Sequence, residues 1–414
     1  MTSDQLVILL FDLALVFAAA CLIGSLARRV GQPPVIGEII AGILMGPTLL
    51  DGAVGDLLFP PEARPYLTAL ADVGVALFMF TVGFELDHRL LRGMRRAVTT
   101  VSIGSVLPAF GLGVLLAWYL LPDGSAASLL FLGVAMSVTA LPVLARILHD
   151  RGMTRTPVAA LALSSAAVTD AFAWLALAAL TVLAGHHGQW RLLLLPVLLA
   201  LLSALRPAAR RLMAHAERTG GSTQRVLALV VPGLLLSAAC TEWMGLHFIL
   251  GAFLFGLLLP KDDLPQIRTE VEDAVHKMGT SLLLPLFFVT AGLKVDLSRI
   301  GWDGLGHFAL IMLVAMGGKS GGVFLAARLS GLHRPESATL AVLLNSRGLT
   351  ELVMLSAGLS LGLLDQDLYS LMVLMAVLTT ALTGPLLRLV VPRAPAAAEP
   401  SPVPAGTGPP PPPS

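Results

Sequence analysis

Long, unbroken runs of apolar residues alternate with short polar stretches along almost the whole chain. The hydrocarbon core of a bilayer is about 30 Å thick and takes about 20 apolar helical residues to cross. On that measure the pattern predicts about thirteen membrane-spanning helices. They lie near 5–27, 33–50, 67–85, 97–121, 126–149, 156–184, 190–213, 224–243, 246–260, 278–294, 304–330, 335–361 and 367–391. A membrane barrel would show weak alternating segments of about ten residues instead. The first run is too long for a signal peptide, lacks a basic start, and ends in Arg28-Arg29 rather than at a small-residue cleavage site. Beyond Arg393 the chain turns Pro/Ala-rich and closes on a run of prolines. Such a segment, 394–414, is expected to be a disordered cytoplasmic tail, with no soluble regulatory domain after the membrane part.

Within this pattern three segments recur in the same order. Ile36-Gly37-Glu38-Ile39-Ile40-Ala41-Gly42 is similar to Leu250-Gly251-Ala252-Phe253-Leu254-Phe255-Gly256. Leu77-Phe78-Met79-Phe80-Thr81-Val82-Gly83 is similar to Leu286-Phe287-Phe288-Val289-Thr290-Ala291-Gly292. The fifth run is interrupted at Thr139-Ala140-Leu141-Pro142, the twelfth at Asn345-Ser346-Arg347-Gly348. The matches relate the first six spans to the last six, seven spans apart. An odd offset inserts the second copy upside down, so the chain reads as inverted repeats of about 5–184 and 224–391, joined by a linker helix at about 190–213. Inverted repeats broken at matching positions point to a secondary transporter with its site at the membrane midplane.

Composition agrees. Hydrophobic residues make up 56% of the chain and charged residues 13%, with mean hydropathy +0.83; soluble domains carry about 25% charge. A soluble enzyme, a disordered chain and a disulfide scaffold are excluded. The formal net charge of +1 gives no reason to expect nucleic acid as a partner. Most of the 27 Lys+Arg fall in loops after odd-numbered spans, among them Arg28, Arg29, Arg89, Arg92, Arg206, Arg210 and Arg211. Arg64, Arg191, Lys294 and Arg299 fall on the other side. The positive-inside rule then puts the N-terminus outside and the C-terminus in the cytoplasm of a cell inner membrane.

Polar residues inside the runs are the candidate chemistry. Asp170 in Ser164-Ser165-Ala166-Ala167-Val168-Thr169-Asp170 is flanked by apolar or small residues. Placing a carboxylate there costs at least about 2.5–3.5 kcal/mol, and such a group can hold either a proton or a monovalent cation. At the fifth-span break, Pro142 removes an amide donor. The carbonyls near Met136 to Val138, with Ser137 and the Thr139 hydroxyl, are positioned to replace water around a small cation. Lys319, in Gly317-Gly318-Lys319-Ser320-Gly321-Gly322, is deep in a span and needs a partner, for which Asp170 is the candidate. Arg347 and Glu351, four apart, are expected to pair along one helix face and, with Asn345, to neutralise the ends of the broken helix. Asp12, Glu38, Glu85, Asp87 and Glu242 read as charges near wetted interfaces; His247 and His186-His187 have no metal-ligand spacing.

The segments PPVIGEIIAGILMGP, LFMFTVGFELD, SVTALPVLARILHD, ALSSAAVTDAFAW, LFFVTAGLKVDL, GGKSGG and LLNSRGLTELV together resemble the cation:proton antiporter superfamily. The likeness is to its bacterial branch, which includes NapA-type sodium/proton antiporters and Kef-type potassium systems. The resemblance implies a dimerisation domain and a six-helix core in which two half-broken helices cross at the ion site. It also implies a homodimer. Asp170 would carry ion and proton, Thr139 would sit at the crossing, and Lys319 would be this branch's embedded lysine. The chain departs from the family at Thr169, where many members have Asn or a second acid. No second titrating carboxylate is then expected in that span, and Kef-like gating by a soluble ligand is not expected.

The reading is a secondary active antiporter that exchanges H+ for Na+ or K+ around Asp170, with Thr169, Thr139, Ser137 and Ser165 nearby. Membrane lipid is its surroundings, and no ATP, metal or organic cofactor is implied. The alternatives are a channel-like K+ efflux protein, which needs a continuous polar pore, and a proton-coupled small-solute carrier, which needs a larger polar cavity. The spans hold no His/Glu metal pair and no Ser–Lys or Ser–His constellation at matching depth, so an enzyme is not expected.

Overall fold

The computed structural model describes residues 3–49, 53–60, 62–85, 95–154, 156–184, 191, 194–218, 223–260, 270–271, 273–275, 279, 283–298 and 301–390. Leu86, Asp87, Arg89, Arg92, His186, His187, Arg299, the side chain of Glu85 and the tail 394–414 lie outside the described residues. Described residues form helices and no strand. In chain order they are α1 Ser3–Arg29, α2 Pro34–Met45, α3 Ala53–Leu58, α4 Arg64–Glu85, α5 Arg95–Leu120, α6 Ala126–Ser137, α7 Leu141–Asp150 and α8 Pro157–Leu183. The second half holds α9 Leu195–Arg218, α10 Thr223–Trp243, α11 Phe248–Leu258, α12 Leu284–Leu293, α13 Trp302–Leu329, α14 Arg334–Leu344, α15 Leu349–Ser360 and α16 Gln366–Val390.

Among the described residues, seven helices are long and apolar enough to cross a membrane, or eight if the bent pair α14–α15 is one span. Of the remaining runs of the thirteen-span reading, four appear as the short apolar helices α2, α6, α11 and α12 of 10 to 12 residues, and 190–213 appears as the 24-residue, less apolar α9. At 1.5 Å rise per residue, twelve residues cover only about 18 Å, so length does not confirm the count. Runs 126–149 and 335–361 are each broken into two helices, as their polar interruptions predict.

Packing sorts the helices into two sets. α1, α2, α4, α10, α11 and α12 pack mainly on one another; α5 to α8 pack with α13 to α16. The sets meet where α11 touches α8, α12 touches α15, and α16 touches α2.

The repeated glycines explain how the first set closes. A Cβ on Gly42 would lie 2.2 Å from the Val289 carbonyl oxygen, and one on Gly292 2.4 Å from that of Ile39. Likewise a Cβ on Gly83 would lie 2.2 Å from the Phe253 oxygen, and one on Gly256 2.2 Å from that of Phe80. Thus α2 crosses α12 and α4 crosses α11 backbone to backbone, which only glycine permits. Gly42 and Gly256 hold the same place in the two repeats, as do Gly83 and Gly292. Exchanging the repeats turns the first crossing into the second. Gly37 against Ile23 and Gly251 against Ser237 form a third matched pair. The sequence repeat is therefore also a repeat of contacts.

Candidate functional site

The second set is organised around its two breaks. α6 stops at Ser137, and Val138 takes an extended backbone (φ −64°, ψ 144°). α7 restarts at Leu141, so Pro142 stands in the first turn of a new helix, where a missing amide costs nothing. Its role is to start α7 rather than to kink a continuous helix. α14 ends at Leu344, and α15 starts at Leu349.

The two links cross and are stitched together. The Ala140 amide donates to the Ser346 carbonyl at 3.1 Å. The Thr139 hydroxyl donates to the Leu344 carbonyl at 3.2 Å, and that of Thr350 to the Thr139 carbonyl at 3.4 Å. Thr380 of α16 accepts the Arg347 amide at 3.0 Å and returns its own proton to the Arg347 carbonyl. Extended backbone at membrane depth is tolerated only when buried in protein and hydrogen-bonded in this way.

Four half-helix ends converge here, and their dipoles need partners. The exposed carbonyls ending α6 are met by two cations. Arg347 donates to Ala135 at 3.2 Å and to Met136 at 2.7 Å. Lys319, fully buried on α13, donates to Val138. Arg347 also pairs with Glu351 at 2.6 Å, both fully buried. The expected i,i+4 pair is present, but its cation also reaches across to the other broken helix.

Two sequence expectations change at this point. The carbonyls from Met136 to Val138, read as open to a cation, are taken by Arg347 and Lys319 at Met136 and Val138. Lys319, read as the partner of Asp170, donates to the Val138 carbonyl instead, and no ion pair joins it to Asp170 among the described residues. The physical reason is the same for both: a helix C-terminus ending in mid-membrane presents partial negative charge that draws the nearest cations.

Asp170 on α8 is 1% exposed, and neither carboxylate oxygen has a hydrogen-bond partner of normal geometry. The Leu141 amide, first of α7, lies near it, which puts the positive end of a half-helix beside the carboxylate. Ser165 Oγ, Asn345 Oδ1, Ser346 Oγ and Trp174 Nε1, all buried, also lack partners. Buried polar groups are ordinarily satisfied, so the open oxygens of Asp170 and of Asn345 and Ser346 in the link suit a dehydrated cation, a proton or bridging water.

The other residues singled out in the sequence are buried but occupied. The Thr169 hydroxyl donates to Ala166 at 2.9 Å, and Ser137 to Val134 at 2.7 Å, each within its own helix. Thr139 keeps its oxygen lone pairs while donating to Leu344. Asp12, expected near a wetted interface, is 1% exposed, with one carboxylate oxygen unpartnered. Sequence reasoning missed Ser346, Thr350, Trp174 and Thr380. Thr380 stands among Thr379 and Thr383, which bond back to their own helix, and nothing in the spacing separates it from them.

A helical membrane protein with matched repeats and two broken helices crossing beside a buried carboxylate belongs to the class of secondary transporters. The family model for the sodium/hydrogen exchanger transmembrane region matches residues 15–392. The chain is 36% identical over 414 residues to the Na(+)/H(+) antiporter NhaS4 of Synechocystis sp., covering 96% of this chain and 100% of that one. It is 33% identical over 403 residues to cation/H(+) antiporter 20 of Arabidopsis thaliana, covering 91% of this chain but only 48% of that protein. The fold is similar to the sodium proton antiporter MjNhaP1 from Methanocaldococcus jannaschii, with TM-score 0.68 and 16% identity over 93% of this chain and 99% of that one; at that identity the likeness is of fold alone. The chain belongs to the sodium/hydrogen exchanger family and is a multi-pass monovalent cation:proton antiporter.

Proposed function

We propose that Asp170 is the carrying group and alternately holds one proton or one dehydrated Na+ or K+. The observation that supports this most strongly is the Asp170 carboxylate itself. It is 1% exposed, with no side-chain donor on either oxygen and the Leu141 amide beside it, at the crossing of two broken helices. A proton on the carboxylate removes the charge; a cation balances it. Either state is tolerable in a dry site, while the bare carboxylate is not. Asn345, Ser346 and Ser165 offer further oxygens, and the lone pairs of Thr139 remain open. Thr169 supplies no charge, and its hydroxyl is turned to its own helix.

Lys319 and Arg347 have a different task in this reading. They hold the α6 carbonyls and so keep the break open without competing for the carried ion. With a single carboxylate cycling and Lys319 kept on Val138, one cation exchanges for one proton and no net charge moves. The set α5–α8 with α13–α16 acts as the moving core and shifts against α1, α2, α4 and α10–α12, exposing the site to each side in turn. The latter set pairs with a second copy, 190–213 links the repeats, and the C-terminal end of α16 faces the cytoplasm of an inner membrane.

Purified protein in proteoliposomes carrying an internal pH dye tests this reading. After an imposed pH gradient, addition of Na+ or K+, but not of choline at equal ionic strength, is expected to dissipate it. A gradient that survives both cations contradicts the proposal.

A further inference from the structure

On the face that the charge bias places in the cytoplasm, a cavity of about 370 Å³ opens between the two helix sets. Arg28, at the end of α1, lines it from one set; Arg146 of α7, Arg151 and Arg388 of α16 line it from the other. Gln32 and Thr380 complete its polar wall. No carboxylate stands among its described lining residues. Glu38, a turn into α2, offsets part of the Arg28 charge.

A positive-inside bias accounts for arginines in cytoplasmic loops. It does not account for four of them converging on one cavity, three of them on helices. What such a wall recognises is an oxyanion. Guanidinium forks match phosphate oxygens two at a time, and the volume falls in the range of small-ligand clefts. One arginine already has backbone work at the rim: Arg151 donates to the Gly384 carbonyl at 2.8 Å. Gln32 crosses from the first set to the Ala381 carbonyl of α16 at 3.2 Å. At the cavity floor, Thr380 holds both the amide and the carbonyl of Arg347. A separate narrow gap shares Pro33 and Thr380 with the cavity and is lined also by Val143, Arg347 and Gly348.

We propose that this cavity binds a phosphate-bearing anion, either an anionic lipid headgroup or a soluble polyphosphate, and that the bound anion clamps the two helix sets and slows exchange. The clamp rests on the exchange cycle proposed above, whereas the binding site does not. An anion held by Arg28 on one side and by Arg146, Arg151 and Arg388 on the other must be released, or its arginines parted, each time the sets move.

The test compares the full chain with the double variant Arg28→Gln/Arg388→Gln. Both side chains are exposed and stand outside the ion site. Inorganic pyrophosphate is added to detergent-purified protein at matched ionic strength and the melting temperature is read. A rise of about 2 °C or more in the wild type, absent in the variant, is expected if the soluble anion binds. In a second arm, exchange is compared in phosphatidylcholine liposomes with and without phosphatidylglycerol, and with pyrophosphate on the cytoplasmic face. Wild-type exchange is expected to fall about fivefold or more with one of the two. The variant keeps its rate in plain phosphatidylcholine and loses the response. A response to phosphatidylglycerol alone identifies a lipid headgroup as the ligand; a response to pyrophosphate, a soluble one. A wild type indifferent to both in melting and in flux overturns the proposal, and so does a variant that responds as the wild type does. If no exchange is seen at all while pyrophosphate still raises the melting temperature of the wild type alone, the site stands and the exchange reading fails.

Discussion

Arg347 is the residue on which the crossing depends most, and its removal has a calculable cost. Arg347→Met takes away the ion-pair partner of Glu351, which is fully buried and lies 2.6 Å from the guanidinium. Stranding one member of a buried pair costs about 3–5 kcal/mol. The same substitution leaves the Ala135 and Met136 carbonyls without the donors at 3.2 and 2.7 Å, and a buried group left unsatisfied costs about 1–3 kcal/mol. Together the loss should be about 5 kcal/mol. The double variant Arg347→Met/Glu351→Leu removes the stranded charge but not the orphaned Met136 carbonyl, while Ala135 keeps the Val138 amide. It should therefore recover about 3 kcal/mol relative to the single variant, yet stay about 1–3 kcal/mol below the wild type. Unfolding by SDS in mixed micelles, followed by far-ultraviolet circular dichroism, measures all three. A single variant within about 1 kcal/mol of the wild type, or a double variant no more stable than the single, would refute the reasoning.

Three further outcomes follow from the same geometry. Gly42→Ala, whose Cβ would lie 2.2 Å from the Val289 oxygen, should cost about 1–3 kcal/mol or fail to fold, while Gly111→Ala, with nothing within 4 Å, should be neutral in the same titration. Lys319→Met should cost about 1–3 kcal/mol through the orphaned Val138 carbonyl; a coupling to Asp170→Asn above about 2 kcal/mol in a double-mutant cycle would show an ion pair that the structure does not contain. Exchange should be indifferent to membrane potential clamped with K+ and valinomycin, because one carboxylate trades one proton for one cation; were Lys319 to release a proton as well, each 100 mV would act on one net charge with about 2.3 kcal/mol, and the flux would steepen visibly.

The breaks at 138–140 and 345–348 are legible in the sequence because proline, glycine and adjacent polar residues interrupt otherwise continuous apolar runs. Asp170 is legible because a carboxylate among apolar neighbours is expensive wherever the helix sits. The repeat is legible too, and the paired glycines show why its positions matter: Gly42, Gly83, Gly256 and Gly292 are where helix backbones touch. The partners of the buried cations are a different matter. Charge arithmetic pairs Lys319 with the nearest unpaired acid, yet the acceptor is a backbone carbonyl at Val138, and backbone carbonyls look alike in every sequence. Arg347 shows both sides. Its i,i+4 partner Glu351 follows from helix periodicity, whereas its bonds to Ala135 and Met136 join residues more than 200 positions apart and depend on how the two breaks cross. The number of spans is the least legible feature, because hydropathy counts apolar residues and does not see that α2, α6, α11 and α12 stop after 10 to 12 of them.

Cation-driven proton flux through Asp170→Asn tests most directly whether Asp170 carries the exchange. Asparagine keeps the size and an amide oxygen that can face the Leu141 amide, and no side chain donates to either Asp170 oxygen. It can neither release a proton nor balance a bare cation. Folded Asp170→Asn protein, eluting and melting as the wild type does, is expected to leave an imposed pH gradient intact when Na+ or K+ is added to the liposomes. If that protein still dissipates the gradient on adding either cation, the carrying group lies elsewhere.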